Sequence, residues 1–236
     1  MTLLVTEIHN HDDAARAAIV FAADRRISCG SKFHSLRKKL LLVPRFRAAI
    51  GYFGLAVVQS VPMAEWLRTH IRKDRSSTMA EFAGHLAQAL NSAVPSITRR
   101  DNSSGIHFAG FNAQGLVEFW FVRNIDDSYR RTGSYAARED FQRRDVSTLQ
   151  PGIGAVYRNG DIDAHVSLWK VLDDALVPLL NRNDFKRVRT TTDYGQWVRF
   201  KMDVIAYVYK KWCKNSIIGR PIDVIVITAK DGAKVV

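Results

Sequence analysis

Cysteine is scarce in this chain: Cys29 and Cys213 are the two among 236 residues. They could pair, but nothing in the sequence demands it. The expectation is two unpaired, partly buried thiols in a protein of the reducing cytoplasm. Long apolar runs are missing as well, so no membrane-spanning helix is expected. The first residues lack a basic stretch followed by an apolar core, which argues against a secretory signal. No serine sits in a G-x-S-x-G context. Gly152-Ile153-Gly154 lacks the third glycine and the preceding strand of a dinucleotide-binding turn. His34, His70, His85, His107 and His165 stand alone, without metal-ligand spacing. His9, His11, Asp12 and Asp13 cluster in one polar stretch, which reads as a solvated hairpin turn rather than a metal site. Neither a metal nor a cofactor is expected.

Positive charge is abundant. Lys and Arg total 35 against 23 Asp and Glu, a formal charge of +12. Such an excess draws a protein towards anionic partners. The basic residues are dispersed in short pairs, among them Arg25-Arg26, Lys38-Lys39 and Lys210-Lys211, and most read as solvated surface. A nucleic-acid-binding role is therefore the least favoured of the readings below, since no reader motif accompanies the charge.

Patterning predicts the elements. Thr2 to Ile8 alternates like a strand with one buried face, and Ala18 to Ala23 reads as a fully buried strand ending at Asp24. Lys39 to Val43 and Arg47 to Phe53 make two more strands, divided by Pro44. A helix is expected from Leu55 to about Arg72, kinked or broken at Pro62. Thr78 and Glu81 form a capping box for a second helix, with Met79, Phe82, Ala83, Leu86 and Leu90 on one face. Ile106 to Phe111 and Leu116 to Arg123 flank a hairpin turn over 112–115. The polar, Arg-rich stretch from Asp126 to Gly160 resists assignment, apart from turns at Gly133 and at Gly152-Ile153-Gly154. Helices are expected over Ala164 to Leu180, with Pro178 disturbing the last turn, and over Gln196 to Trp212. In the latter, Trp197, Phe200, Val204, Val208 and Trp212 form a stripe expected to pack into the core. Ile222 to Thr228 reads as a buried strand, followed by a turn at Asp231-Gly232 and a short final strand. Clustered strands and helices predict an α+β layered domain over residues 1–236, not alternating βαβ units.

Thr2 is the candidate for chemistry. A methionine followed by a small residue is normally removed, which would leave Thr2 with a free α-amine. A threonine of that kind combines a nucleophilic hydroxyl with its own general base. Ile19-Val20-Phe21-Ala22-Ala23-Asp24-Arg25-Arg26-Ile27-Ser28, with Gly30 after it, resembles the second-strand signature of proteasome β-type subunits. Lys38-Lys39-Leu40, the turn Gly51-Tyr52-Phe53-Gly54-Leu55-Ala56, and Ile218-Gly219-Arg220-Pro221-Ile222-Asp223-Val224 resemble further motifs of bacterial members. The likeness is weakest over 124–195.

This resemblance implies a four-layer αββα sandwich of the N-terminal nucleophile hydrolase class, acting on peptide or other amide bonds. It implies Thr2 as nucleophile, Lys39 as the nearby ammonium, Asp24 as that lysine's partner, and Arg26 as a brace. An ammonium next to the α-amine favours the amine's neutral, proton-accepting form, and a lysine buried there needs a carboxylate. The spacing from Asp24 is one residue shorter than the family's, which leaves Lys38 as the alternative. Oxyanion donors would come from Phe53 and Gly54, where the family has paired glycines, and the Phe53 ring is expected to crowd the cleft. Asn215 and Ile218 stand where the family has a supporting aspartate and serine, with Ser216 between them. Peptide or unfolded-protein substrates and assembly into homo-oligomers, such as rings, are implied as well. A catalytically inactive scaffold or binding subunit of the same fold is the second reading.

Overall fold

The period of two along each strand, with both faces apolar, decides how the chain is layered. The computed structural model describes residues 3–9, 17–29, 32–129, 135–146, 154–161, 163–180, 182, 190–214 and 216–236. Thr2, His11, Asp12, Asp13, Gly30, Gly133, Gly152, Ile153 and Asn215 lie outside them.

The chain opens with β1 (Leu3–His9), β2 (Ala18–Asp24), β3 (Arg26–Cys29), β4 (Lys32–Leu36), β5 (Leu40–Val43) and β6 (Ala48–Phe53). The two-residue strands β7 (Val57–Val58) and β8 (Val61–Pro62) lead into α1 (Met63–Lys73), α2 (Met79–Ala93) and α3 (Ser96–Asp101). Next come β9 (Gly105–Phe111), β10 (Val117–Tyr129), β11 (Tyr135–Asp145) and β12 (Gly154–Gly160). A π-helical stretch (Asp163–Leu168) runs into α4 (Trp169–Leu180), then α5 (Thr191–Trp212), β13 (Ile222–Thr228) and β14 (Gly232–Val235).

Among the described residues there are two five-stranded sheets, ordered β12-β1-β2-β13-β14 and β11-β10-β9-β6-β5. Every pairing within them is antiparallel. This is a mixed α/β protein of α+β type.

Three buried cores follow from the period of two along each strand. Leu4 and Ile8 of β1 and Ile19, Phe21 and Ala23 of β2 point towards the second sheet, meeting Ala49, Ala109, Phe119 and Phe121. Their neighbours Leu3, Val5, Val20 and Ala22 point the other way, against Trp169 and the Val198, Met202 and Ile205 face of α5. The far side of the second sheet, with Val43, Ile50, Tyr52, Ile106 and Phe108, is covered by Met63, Leu67, Phe82, Leu86 and Leu90 of α1 and α2. Both sheets are therefore apolar on both faces, which is why β2, β6 and β9 read as continuous apolar runs.

Several expectations needed correction. The first helix starts at Met63, not Leu55: Pro62 is its N-cap, and the preceding residues form the β7–β8 turn. Proline fits just outside a helix because it has no amide hydrogen to leave unpaired. The stretch after Asp126 holds the end of β10 and all of β11 and β12, and Gly154 opens a strand. The expected α5 stripe is only partly right, since Trp197, Val204 and Val208 are half-buried but its other two members are not. Phe200 is 47 % and Trp212 68 % exposed, whereas Val198, Met202, Ile205, Ala206 and Tyr209 are buried. The Thr78–Glu81 capping box is present, and a second one, Thr190 with Asp193, starts α5 five residues before the expected Gln196.

Candidate active site

Asp24 ends β2, the central strand of its sheet, and Lys39 immediately precedes β5, an edge strand of the other. Their side chains meet across the two sheets. Lys39 Nζ donates to Asp24 Oδ1 at 2.9 Å, and neither residue is more than 1 % exposed. The same carboxylate oxygen accepts the Leu3 amide at 3.0 Å. Asp24 Oδ2 accepts the Arg26 amide at 3.1 Å, and the Gly219 backbone adds a further bond to the carboxylate. Lys39 Nζ also donates to the Arg26 carbonyl at 2.6 Å.

Burial pushes the Asp24 carboxyl up, while the Lys39 charge and the hydrogen bonds pull it back. Burial likewise pushes Lys39 down, opposed by Asp24. A buried pair is tolerable only when its remaining donors and acceptors are satisfied, and here backbone groups from three further chain segments do so. Of the adjacent lysines, Lys38 is exposed and Lys39 is buried.

Arg26 contributes mainly through its backbone. Its guanidinium lies 4.9 Å from the centre of the Phe33 ring, and its Nε is buried without a hydrogen-bond partner. The bracing expected of Arg26 in this region is supplied by its amide and carbonyl. Phe53 also departs from expectation. Its ring is 6 % exposed and packs between the sheets against His107 and Phe121, so it crowds no cleft. Gly54, at φ +85°, turns the chain out of β6, and a side chain there would strike Ser104 and the Ser103 carbonyl. Tyr52 donates its amide to the Lys39 carbonyl at 3.2 Å, so the end of β6 at Phe53 and the turn at Gly54 follow directly after the residue bound to Lys39.

At the other expected positions, Ile218 is fully buried in the core against α5, and Ser216 is half-buried beside Lys210 and Lys211. Cys213 is a free, exposed thiol, not a partly buried one. His9 stacks on Tyr194 and lies 3.3 Å from Glu7.

Two buried polar clusters escaped the sequence reading. Lys201 Nζ contacts Glu7 and Asp173, each at 2.9 Å, and sits 4.2 Å from the centre of the Trp169 ring. The signal was a lysine at a core-facing position of α5, one residue before Met202. Between the sheets, His107 Nδ1 meets Thr6 Oγ1 at 2.8 Å and Nε2 meets Asn159 Oδ1 at 2.6 Å. With Asn159 as acceptor, Nε2 carries the proton and Thr6 donates to Nδ1. A lone histidine within the apolar run of β9 was the available hint.

No helix among the described residues is long and apolar enough to cross a membrane. No protein-family model and no curated protein matches the chain.

Proposed function

We propose that the protein is a proteasome-like threonine hydrolase of the N-terminal nucleophile class, with a four-layer αββα sandwich, that cleaves peptide or other amide bonds. One observation carries the reading: the Leu3 amide and the Lys39 ammonium share Asp24 Oδ1. Leu3 is joined to Thr2 by a single peptide bond, so this carboxylate tethers the chain next to the proposed nucleophile. The order of cores, with helices, two sheets and helices packed in succession, supports the fold.

In this mechanism the α-amine of Thr2 takes the hydroxyl proton while Oγ1 bonds to the substrate carbonyl carbon. Two of the three Lys39 donors are engaged, by Asp24 and the Arg26 carbonyl. In this reading the remaining donor stabilises the negative charge that develops on Thr2 Oγ1. The Gly54 amide is the proposed oxyanion donor. Collapse of the tetrahedral intermediate breaks the C–N bond, and the ammonium returns its proton to the leaving amine. Water then hydrolyses the threonyl ester, with the α-amine again acting as base.

Two measurements test this reading together. Intact mass gives the N-terminus, and peptide hydrolysis is compared between the wild type and Thr2→Ala. The reading requires loss of Met1 and at least a hundredfold fall in rate for Thr2→Ala, of the order expected when a nucleophile is removed. Retained Met1 in active protein, or full activity in Thr2→Ala, overturns it. The inactive-scaffold reading is favoured by Ile218, an apolar core residue where the family has a supporting serine. A free Thr2 that fails to react with a threonine-directed electrophile selects that reading.

A further inference from the structure

A cavity of about 550 Å³ opens between the end of α5 and the loop leading to β13, lined by Arg26, Tyr207, Lys210, Lys211, Ser216 and Arg220. Four of these six side chains are cationic. Arg220 is paired with Asp203, 2.7 Å away. No carboxylate among the described residues pairs with Lys210 or Lys211, and Arg26 Nε is buried without a partner. The last turn of α5 offsets part of the lysine repulsion, because its free carbonyls favour cations. That explains why the lysines are tolerated there but leaves their charge unneutralised. A concave site rich in unpaired cations, with one buried guanidinium atom lacking an acceptor, is built for an anion.

The cavity shares its wall with the Asp24 centre. Arg26 lines it while its backbone binds both Asp24 and Lys39, and Gly219, whose amide reaches Asp24, lines it too. We propose that this cavity is a substrate subsite that selects acidic side chains, so that the protein acts on glutamate- and aspartate-rich peptides. The occupant is a peptide carboxylate rather than a nucleic-acid phosphate because the charge is concentrated in one bounded cavity beside the reaction centre. A nucleic acid needs a track of contacts along its backbone. The inference rests on the proposed hydrolase reading, and binding can be measured apart from turnover.

The experiment uses fluorescence anisotropy with a labelled hexaglutamate peptide, a hexaglutamine peptide of the same length and a short single-stranded RNA. The proteins are wild type, Thr2→Ala and the double variant Lys210→Glu/Lys211→Glu. Hexaglutamate should bind the first two alike and bind the double variant about tenfold more weakly or worse, with its melting temperature unchanged. Hexaglutamine should bind weakly to all three. Equal binding of the two peptides, or unchanged hexaglutamate binding in the double variant, overturns the proposal. RNA binding tighter than hexaglutamate and lost in the double variant overturns it in favour of a nucleic-acid site. Intact hexaglutamate binding by a protein whose Thr2→Ala variant hydrolyses peptides as fast as wild type sinks the hydrolase reading and leaves the anion site standing.

Discussion

The Lys39 ammonium and the Asp24 carboxylate lie 2.9 Å apart with virtually no exposure to solvent, Asp24 at the end of β2 and Lys39 just ahead of β5 in the other sheet. Removing one member strands the other charge in the core. Asp24→Asn and Lys39→Met are each expected to destabilise the protein by about 3–5 kcal/mol, as breaking a buried pair does. The neutral pair Asp24→Asn/Lys39→Met should cost much less than the sum of the two single changes. Urea denaturation of the four proteins completes the cycle, and simple additivity would contradict the described coupling.

His107 gives the protein a pH-dependent term. It is fully buried, and burial, opposed by Asn159 and aided by the Arg123 charge, holds its pKa down at about 4 against an ordinary 6.5. The unfolded chain therefore takes up a proton that the folded state refuses between those values. Stability from this group is complete above about pH 6.5 and is lost as the pH falls through 4, for a total of about 3 kcal/mol. Denaturation at pH 7 and pH 4.5 should show a smaller decline for His107→Gln than for wild type. An equal decline would assign the effect to the carboxylates instead.

Gly54 and Gly115 both have positive φ, +85° and +75°, but only Gly54 is hemmed in. Gly115→Ala should lower stability by about 1 kcal/mol, the conformational cost alone. Gly54→Ala adds a collision with the Ser103 carbonyl and should cost about 2–3 kcal/mol. Thermal melting of the two variants separates strain from crowding.

The two faces of α5 differ in energetic weight. Met202→Ala is expected to cost about 2–5 kcal/mol because it opens a hole beside Trp169 and β2. Phe200→Ala on the exposed side should change stability by no more than about 0.5 kcal/mol. Reversed magnitudes would restore the aromatic stripe to the interior.

The elements legible in the sequence were those with one dominant local signal. The buried run Ala18–Asp24, the Thr78–Glu81 cap and the turn after Phe111 each appear where their residues require. Lys39 was distinguished from Lys38 by resemblance to a family motif, and burial now separates them. The α5 face was partly misread because large aromatics outweighed Met202 and Ala206 in the pattern, although smaller residues fit better against a sheet packed at close range. The third and fourth donors to Asp24, from Arg26 and Gly219, were invisible because backbone amides carry no residue-type signature. The polar character of β11 hid a strand whose stability comes from its neighbour β10.

Asp24 is a knot tied from four ends: the start of β1, β3, the segment ahead of β5 and the loop before β13 all fasten to one side chain. A half-assembled version of it has no meaning, since loosening any strand of the knot frees the rest. The integrity of this centre should accordingly persist on heating until the whole molecule melts and then vanish in a single step, with no partly formed species in between.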